Sequence, residues 1–301
     1  MRVPALRVKA WIPGRRAASV LRYHPGMANI RWHVVALLLL ATAALPSSLQ
    51  LPVQQPDELR VVSYNIKHGR GNDTVVDLER TAAVIRAQRP DVVGLQEVDD
   101  RAERSGTVPQ AQRLGELLGM HHAFGRFMPF QGGAYGMAIL TRQPIVSTTS
   151  VQLPEGNEPR IALAVQIRLA DGRPGLRHAF GGQALTIVNV HFDWVNNDAF
   201  RFAQADALTK YLDGLKAPYI VLGDFNDLPE SRTLALFKSR TGEARKPDTD
   251  RFTFPATAPA REIDFIFFAP PSGWRAREVQ VIDERVASDH RPVLAVLERT
   301  R

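Results

Sequence analysis

A chain of 301 residues, 45% hydrophobic and 23% charged, is long enough to bury a substantial core and has no long disordered-type stretch. Its +7 charge belongs to the leader: residues 1–33 hold seven of the 38 basic residues and no acidic one, leaving 31 basic against 31 acidic beyond. The neutral body gives no support for a broad basic nucleic-acid face, and the absence of cysteine excludes disulfides, thiolate metal sites, a Cys nucleophile and a lipoprotein anchor.

Arg31-Trp32-His33 precedes a twelve-residue apolar run, Val34 to Leu45, followed by Pro46-Ser47-Ser48. A membrane-spanning helix needs about 20 apolar residues. The short run with basic residues before it and small ones after it reads as a secretory signal, with Ala41-Thr42-Ala43 as the cleavage pattern. A buried helix is the plainer alternative. A start at Met27 would give a leader of ordinary length, whereas Arg15-Arg16 lies too far from the apolar run for a twin-arginine signal. Residues 1–45 are therefore expected to be leader and signal, 46–58 a linker and 59–301 one domain. The protein is expected to be periplasmic or secreted, or anchored at the membrane if the leader is retained.

Beyond the linker, a strand is expected at 59–65 and a helix from Asp77 to about Gln88, ended by Pro90. A buried-strand pattern at 91–97 and a helix at 110–118 follow. Strands are expected at 136–141, 145–153, 160–169 and 184–192, then a helix at 198–213 and a strand at 218–223. Pro229 is placed to start a short helix. Strands at 262–268, 276–282 and 291–298 finish the chain. Consecutive strands imply antiparallel pairing and helical crossovers imply parallel pairing, so the fold class is α/β with a mixed sheet system covered by helices.

Polar residues recur beside the apolar strands: Asn65, Glu97, His191, Asp224 with Asn226, Asp264, and Ser288-Asp289-His290. Six such places in one domain point to convergence, because an ionisable side chain beside a buried strand is costly unless a cleft, a metal or a partner satisfies it. The blocks SYNI (63–66), LQEV (95–98), YGMAILTR (135–142), NVHFD (189–193), LGDFN (222–226), IDFIF (263–267) and SDHRPV (288–293) resemble, in order, the endonuclease/exonuclease/phosphatase superfamily. The resemblance spans about 59–298. It implies a DNase I-like, four-layered α/β/β/α sandwich with two mixed β-sheets flanked by helices.

The same resemblance implies a divalent metal, Mg²⁺ or Mn²⁺, on Asn65, Glu97 and Asp289, whose hard oxygens suit such ions. Asp224 would deprotonate the attacking water, and Asn226 would donate to the developing charge. His290 would contact the phosphate with Asp264 fixing its tautomer. His191 would be a second phosphate contact or proton donor, Arg160 a phosphate-binding residue and Tyr135 a site wall. The plainer readings are a β-turn pair for Asp224 and Asn226, strand-end caps for the histidines, and ordinary surface or packing roles for Glu97, Arg160 and Tyr135.

His121-His122 reads as structural, ahead of a strand. Gly69-Arg70-Gly71 reads as a turn, Gly132-Gly133 as a flexible loop near the site, and Phe124, Phe127 and Phe130 as core rather than a base-stacking platform. Lys67 stands where abasic-site endonucleases carry an acidic residue, and His191 where they carry Asn, which argues against abasic DNA. The expected function is an exported phosphodiesterase or phosphatase acting on a phospholipid headgroup or small phosphoester, as a monomer with no obligate protein partner. A secreted nuclease and an inactive phosphate- or membrane-binding scaffold are the alternatives.

Overall fold

The computed structural model describes residues 58–168 and 184–300. The leader, its cleavage pattern, Met27 and residues 46–57 of the linker lie outside the described residues. Glu58, expected to close the linker, already pairs with Glu298 in the first strand. No helix of the described residues is long and apolar enough to cross a membrane.

The first sheet contains β1 (Glu58–Asn65), β2 (Val92–Asp100), β3 (His121–Phe130), β4 (Gly133–Thr141), β11 (Trp274–Val281) and β12 (Val293–Arg299), ordered β11-β12-β1-β2-β4-β3. The second contains β5 (Ile145–Gln152), β6 (Ile161–Arg168), β7 (Ala184–His191), β8 (Tyr219–Asp224), β9 (Gly242–Glu243) and β10 (Asp264–Ala269), ordered β5-β6-β7-β8-β10-β9. Each sheet has one parallel pair, β1 with β2 and β7 with β8. Parallel neighbours need a crossover. These are α1 (Leu78–Ala87) in the first sheet and α3 (Ala199–Asp213) in the second.

Alternation along the strands divides the core. Val61, Val92, Met137 and Ile139 meet Leu163, Val165, Ile187 and Leu222 between the sheets. On the outer side of the first sheet, Val62, Tyr64 and Leu95 pack on Ile85 of α1 and Leu114 of α2 (Gln110–Leu118). On the outer side of the second, Val188, Val221 and Phe265 pack on Leu208 of α3 and Phe237 of α4 (Arg232–Lys238). The result is the four-layered α/β/β/α sandwich with two mixed sheets.

Local chemistry sets the helix ends. The Asp77 side chain accepts from the Arg80 N–H at 2.8 Å to start α1, and Gly119, at φ +63°, ends α2. Ser231 caps α4 by accepting from Leu234 N, so that helix starts at Arg232, three residues after Pro229. His121 and His122 do not precede a strand but begin β3. Gln131 and Gly132, at φ +44° and +77°, make a two-residue hairpin turn between β3 and β4 instead of a loose loop. A Cβ on Gly133 would lie 2.2 Å from the Asp100 carbonyl oxygen, so the chain after the turn is packed tightly.

Candidate active site

Register brings the second sheet's polar residues together. His191 of β7 stands opposite Asp224 of β8, and Asp224 opposite Asp264 of β10. Gly223 has φ +148°, and a Cβ there would lie 2.0 Å from the Val190 carbonyl oxygen, so only glycine lets β8 approach β7 this closely. Phe225 turns the other way, against Phe192, Phe237, Phe265 and Phe267 at ring-centroid distances of 5.4, 5.1, 5.6 and 5.4 Å. That aromatic nest anchors the turn carrying Asp224 and Asn226. Asn226, at φ +50°, donates its backbone N–H to Asp224 Oδ1 at 2.9 Å and its side-chain amide to the Phe192 carbonyl at 3.0 Å.

The first sheet supplies its residues through a bulge. Pairing of β2 with β4 shifts between Leu95 and Val98, and Glu97 sits inside the irregularity at φ +55°. A non-glycine residue there is held by its surroundings. Asn189 Nδ2 donates to the Leu95 and Ala138 carbonyls at 2.8 and 2.9 Å, and Gln96 Nε2 donates to Asn189 Oδ1 at 2.7 Å. The two sheets are thus tied together beside the bulge. Asn65, fully buried at the end of β1, donates to Glu97 Oε1 at 3.0 Å and to Asp224 Oδ2 at 3.2 Å. Ser288 Oγ donates to the Asn65 carbonyl at 2.7 Å, fixing the loop that carries Asp289 and His290. Asp289 accepts from Lys67 Nζ at 2.6 Å.

These groups share protons unequally. Burial works against a charge on His290, but Asp264, 3.0 Å from Nδ1, and Asp224, 3.6 Å from Nε2, overcome it and push its pKa up to about 10. Asp264 therefore accepts the Nδ1 proton and turns Nε2 toward Asp224. Burial and the like-charged Asp264 raise Asp224 to about 7, against the opposing pull of His290. His191 moves the other way, well below the ordinary histidine value, through burial and then the nearby Arg160. Arginine can only donate, so His191 Nδ1, 3.4 Å from Arg160 Nη1, is the acceptor and Nε2 carries the proton facing Asp224 Oδ2 at 3.6 Å. Burial also raises Glu97, with the Asn65 hydrogen bond opposing it.

All of this opens on a cleft of about 430 Å³ whose lining includes Glu97, Tyr135, Arg160, His191, Asp224, Asn226, Asp289 and His290. Asn65 and Asp264 lie directly behind, bonded to Glu97 and to His290. Each of the ten residues given a site role in the sequence thus lines the cleft or lies one contact behind it. Arg160 is 1% exposed, bonded to Glu158 at 2.9 Å, with its guanidinium 5.0 Å above the Phe127 ring. Tyr135 packs edge-on against Phe127 at 5.6 Å. Phe127 is core, and the core it belongs to supports the cleft wall. The cleft lining also includes Glu158, Trp194, Phe254 and Arg261, which the sequence reading missed. Trp194 and Arg261 lie close beside the NVHFD and IDFIF blocks, and that adjacency was a usable signal; Phe254 had none.

Two donor sets could attract a cation. One ligand atom each from Asp224, Asp264 and His290 lie within 4.8 Å of one another, but His290 is already hydrogen-bonded to Asp264 and holds its proton strongly. Asn65, Glu97 and Asp289 offer only hard oxygens, and Glu97 is a desolvated carboxylate with one neutral hydrogen-bond donor. That second set fits a divalent ion such as Mg²⁺.

The comparisons agree with the fold. A structure described as an endonuclease/exonuclease/phosphatase from Beutenbergia cavernae is 25% identical, with TM-score 0.67 over 81% of this chain and 72% of that one. A mannosyl-6-phosphatase from Bacteroides thetaiotaomicron is 21% identical, with TM-score 0.64 over 79% and 99%. The human Nocturnin catalytic domain with bound sulfate is 20% identical, with TM-score 0.62 over 82% and 97%. Members of this family hydrolyse phosphoester bonds and generally depend on a divalent metal. With the Endonuclease/Exonuclease/phosphatase family matched over residues 62–290, from inside β1 to His290 itself, the chain belongs to that family.

Proposed function

We propose that the chain is an exported, Mg²⁺-dependent phosphodiesterase or phosphatase acting on a small phosphoester or a phospholipid headgroup. The observation that carries this reading is the position of Asp224, between the Asp264-held imidazole of His290 and the Asn65–Glu97 pair, in a single cleft. As a carboxylate, Asp224 takes the proton of the attacking water. His290, charged and oriented by Asp264, donates from Nε2 to a phosphoryl oxygen. The second N–H of the Asn226 amide adds another donor, and buried Arg160 holds positive charge at the cleft wall. A divalent ion on Glu97, Asn65 and Asp289 would neutralise charge on the phosphoryl and leaving oxygens.

The dimensions of the cleft and the formal neutrality of the body favour a compact phosphoester over a long nucleic acid. Export rests on the basic stretch and short apolar run ahead of residue 46. The test is turnover of bis-p-nitrophenyl phosphate, p-nitrophenyl phosphate, phospholipid and plasmid DNA by the purified protein, with Mg²⁺ and with EDTA. Small-ester or phospholipid hydrolysis should vanish with EDTA, return with Mg²⁺, and fall by about 10²-fold or more in Asp224→Ala. Turnover that ignores both EDTA and the substitution would remove the mechanism, and turnover of plasmid alone would remove the substrate class.

A further inference from the structure

Lys67 touches two of the three residues assigned to the metal. Its backbone N–H donates to Asn65 Oδ1 at 3.1 Å, and its ammonium donates to Asp289 Oδ2 at 2.6 Å. The side chain reaches Asp289 because the chain reverses sharply: Lys67, His68 and Gly69 are all left-handed, at φ +46°, +47° and +75°. Two consecutive non-glycine residues in that region are unfavourable, and such strain persists only where the surroundings over-determine it. Here Gly69 N donates to the Ile66 carbonyl, Arg70 N to the Lys67 carbonyl, and Gln110 Nε2 to the His68 carbonyl at 2.7 Å. The fold therefore spends strain on directing a cation back over the site.

We propose that Lys67 is a tethered positive charge that stands in for a second metal ion, so that the site takes one divalent ion and takes it weakly. The inference rests on the metal-binding reading of Asn65, Glu97 and Asp289. Asp289 is already neutralised by the ammonium, and the Asn65 amide oxygen is already engaged. That leaves Glu97, whose only hydrogen-bond donor among the described residues is the neutral Asn65 amide, as the carboxylate of the set that no cation among those residues bonds. A second dication would have to displace Lys67 from Asp289 or sit against its charge, and even the first must share the neighbourhood with it.

The test is calorimetric titration of Mn²⁺ into the full chain, comparing wild type with Lys67→Gln, Lys67→Arg, Lys67→Asp and Glu97→Gln. Wild type should bind one ion per chain. Lys67→Gln should bind it about tenfold or more tightly, Lys67→Arg should stay near wild type, and Lys67→Asp should gain a second ion. Circular dichroism melts are the check that each variant is folded. Two ions on wild type, or an affinity indifferent to Lys67→Gln while Glu97→Gln abolishes binding, would overturn the role of Lys67 alone. No Mn²⁺ bound by the wild type would overturn the metal-binding reading and this inference with it.

Discussion

Asp224 is buried beside a second carboxylate, Asp264, and an imidazolium, His290, and in the proposed mechanism this balance sets when it acts as a base. Its pKa, raised to about 7, means that the rate should climb as pH rises through that value, because only the carboxylate accepts a proton. His290 stays charged until pH approaches about 10, so the alkaline fall in rate should lie near there. In Asp264→Asn the main carboxylate holding that proton is gone, and the alkaline limb of kcat/KM should move to lower pH. The same pair contributes to stability with a definite sign. His290 has a folded pKa above the unfolded value of about 6.5, so its stabilisation is complete below that value and lost as pH rises through about 10. A pH–rate profile of wild type and Asp264→Asn checks the first claim, with an unmoved alkaline limb counting against it. Denaturant melts between pH 6 and 10 check the second.

The elements deliver these side chains through two irregular joints: the Leu95–Val98 bulge that presents Glu97, and the Gly223–Asn226 turn that presents Asp224. The turn depends on Phe225, fully buried among four other rings. Phe225→Ala should cost about 3–5 kcal/mol by leaving a cavity, and should lower kcat beyond what the unfolded fraction explains, because the neighbouring Asp224 loses its anchor. Denaturant titration with kcat measured on the folded fraction separates these effects. The strands leading into both joints were legible, because apolar runs such as Val61-Val62 and Ile220-Val221-Leu222 end in polar residues that a core would not tolerate. The joints themselves were not. A left-handed Glu97 has no sequence signature, since the bulge that holds it is tied down by Asn189 from the other sheet. The bounds of β3 were not legible because its register shifts between Arg126 and Met128, which breaks the alternation that marks a strand. The direction of Lys67 was equally hidden: the sequence marked it as a departure, and only the left-handed turn shows where it points.

At the scale of the whole molecule, the two sheets repeat one device: a parallel pair with a helical crossover, its carboxyl ends carrying Asn65 and Glu97 in one sheet, His191 and Asp224 in the other. Carboxyl ends of parallel strands are where α/β sheets place ligands, and stacking the sheets makes two such edges share one cleft. The sandwich must then hold the sheets at a fixed separation, because Asn65 reaches Asp224 across the gap at 3.2 Å. Gly94 sets that separation just below the site: a Cβ there would lie 1.8 Å from Leu222 Cδ1 and 3.2 Å from the Asn189 side chain. Leu222 is fully buried in the inter-sheet core, so its side chain and its neighbours would have to repack. Gly94→Ala should therefore destabilise the protein by about 1–3 kcal/mol, the usual cost of overpacking. Because Gln96, two residues further along β2, bonds to the same Asn189, the wedge should also widen the cleft. Activity at full folding should fall with it, whereas Val146→Ala, at an exposed position on β5, should leave both stability and kcat near wild type. Wild-type kcat in a folded Gly94→Ala protein would show that the chemistry does not depend on this spacing.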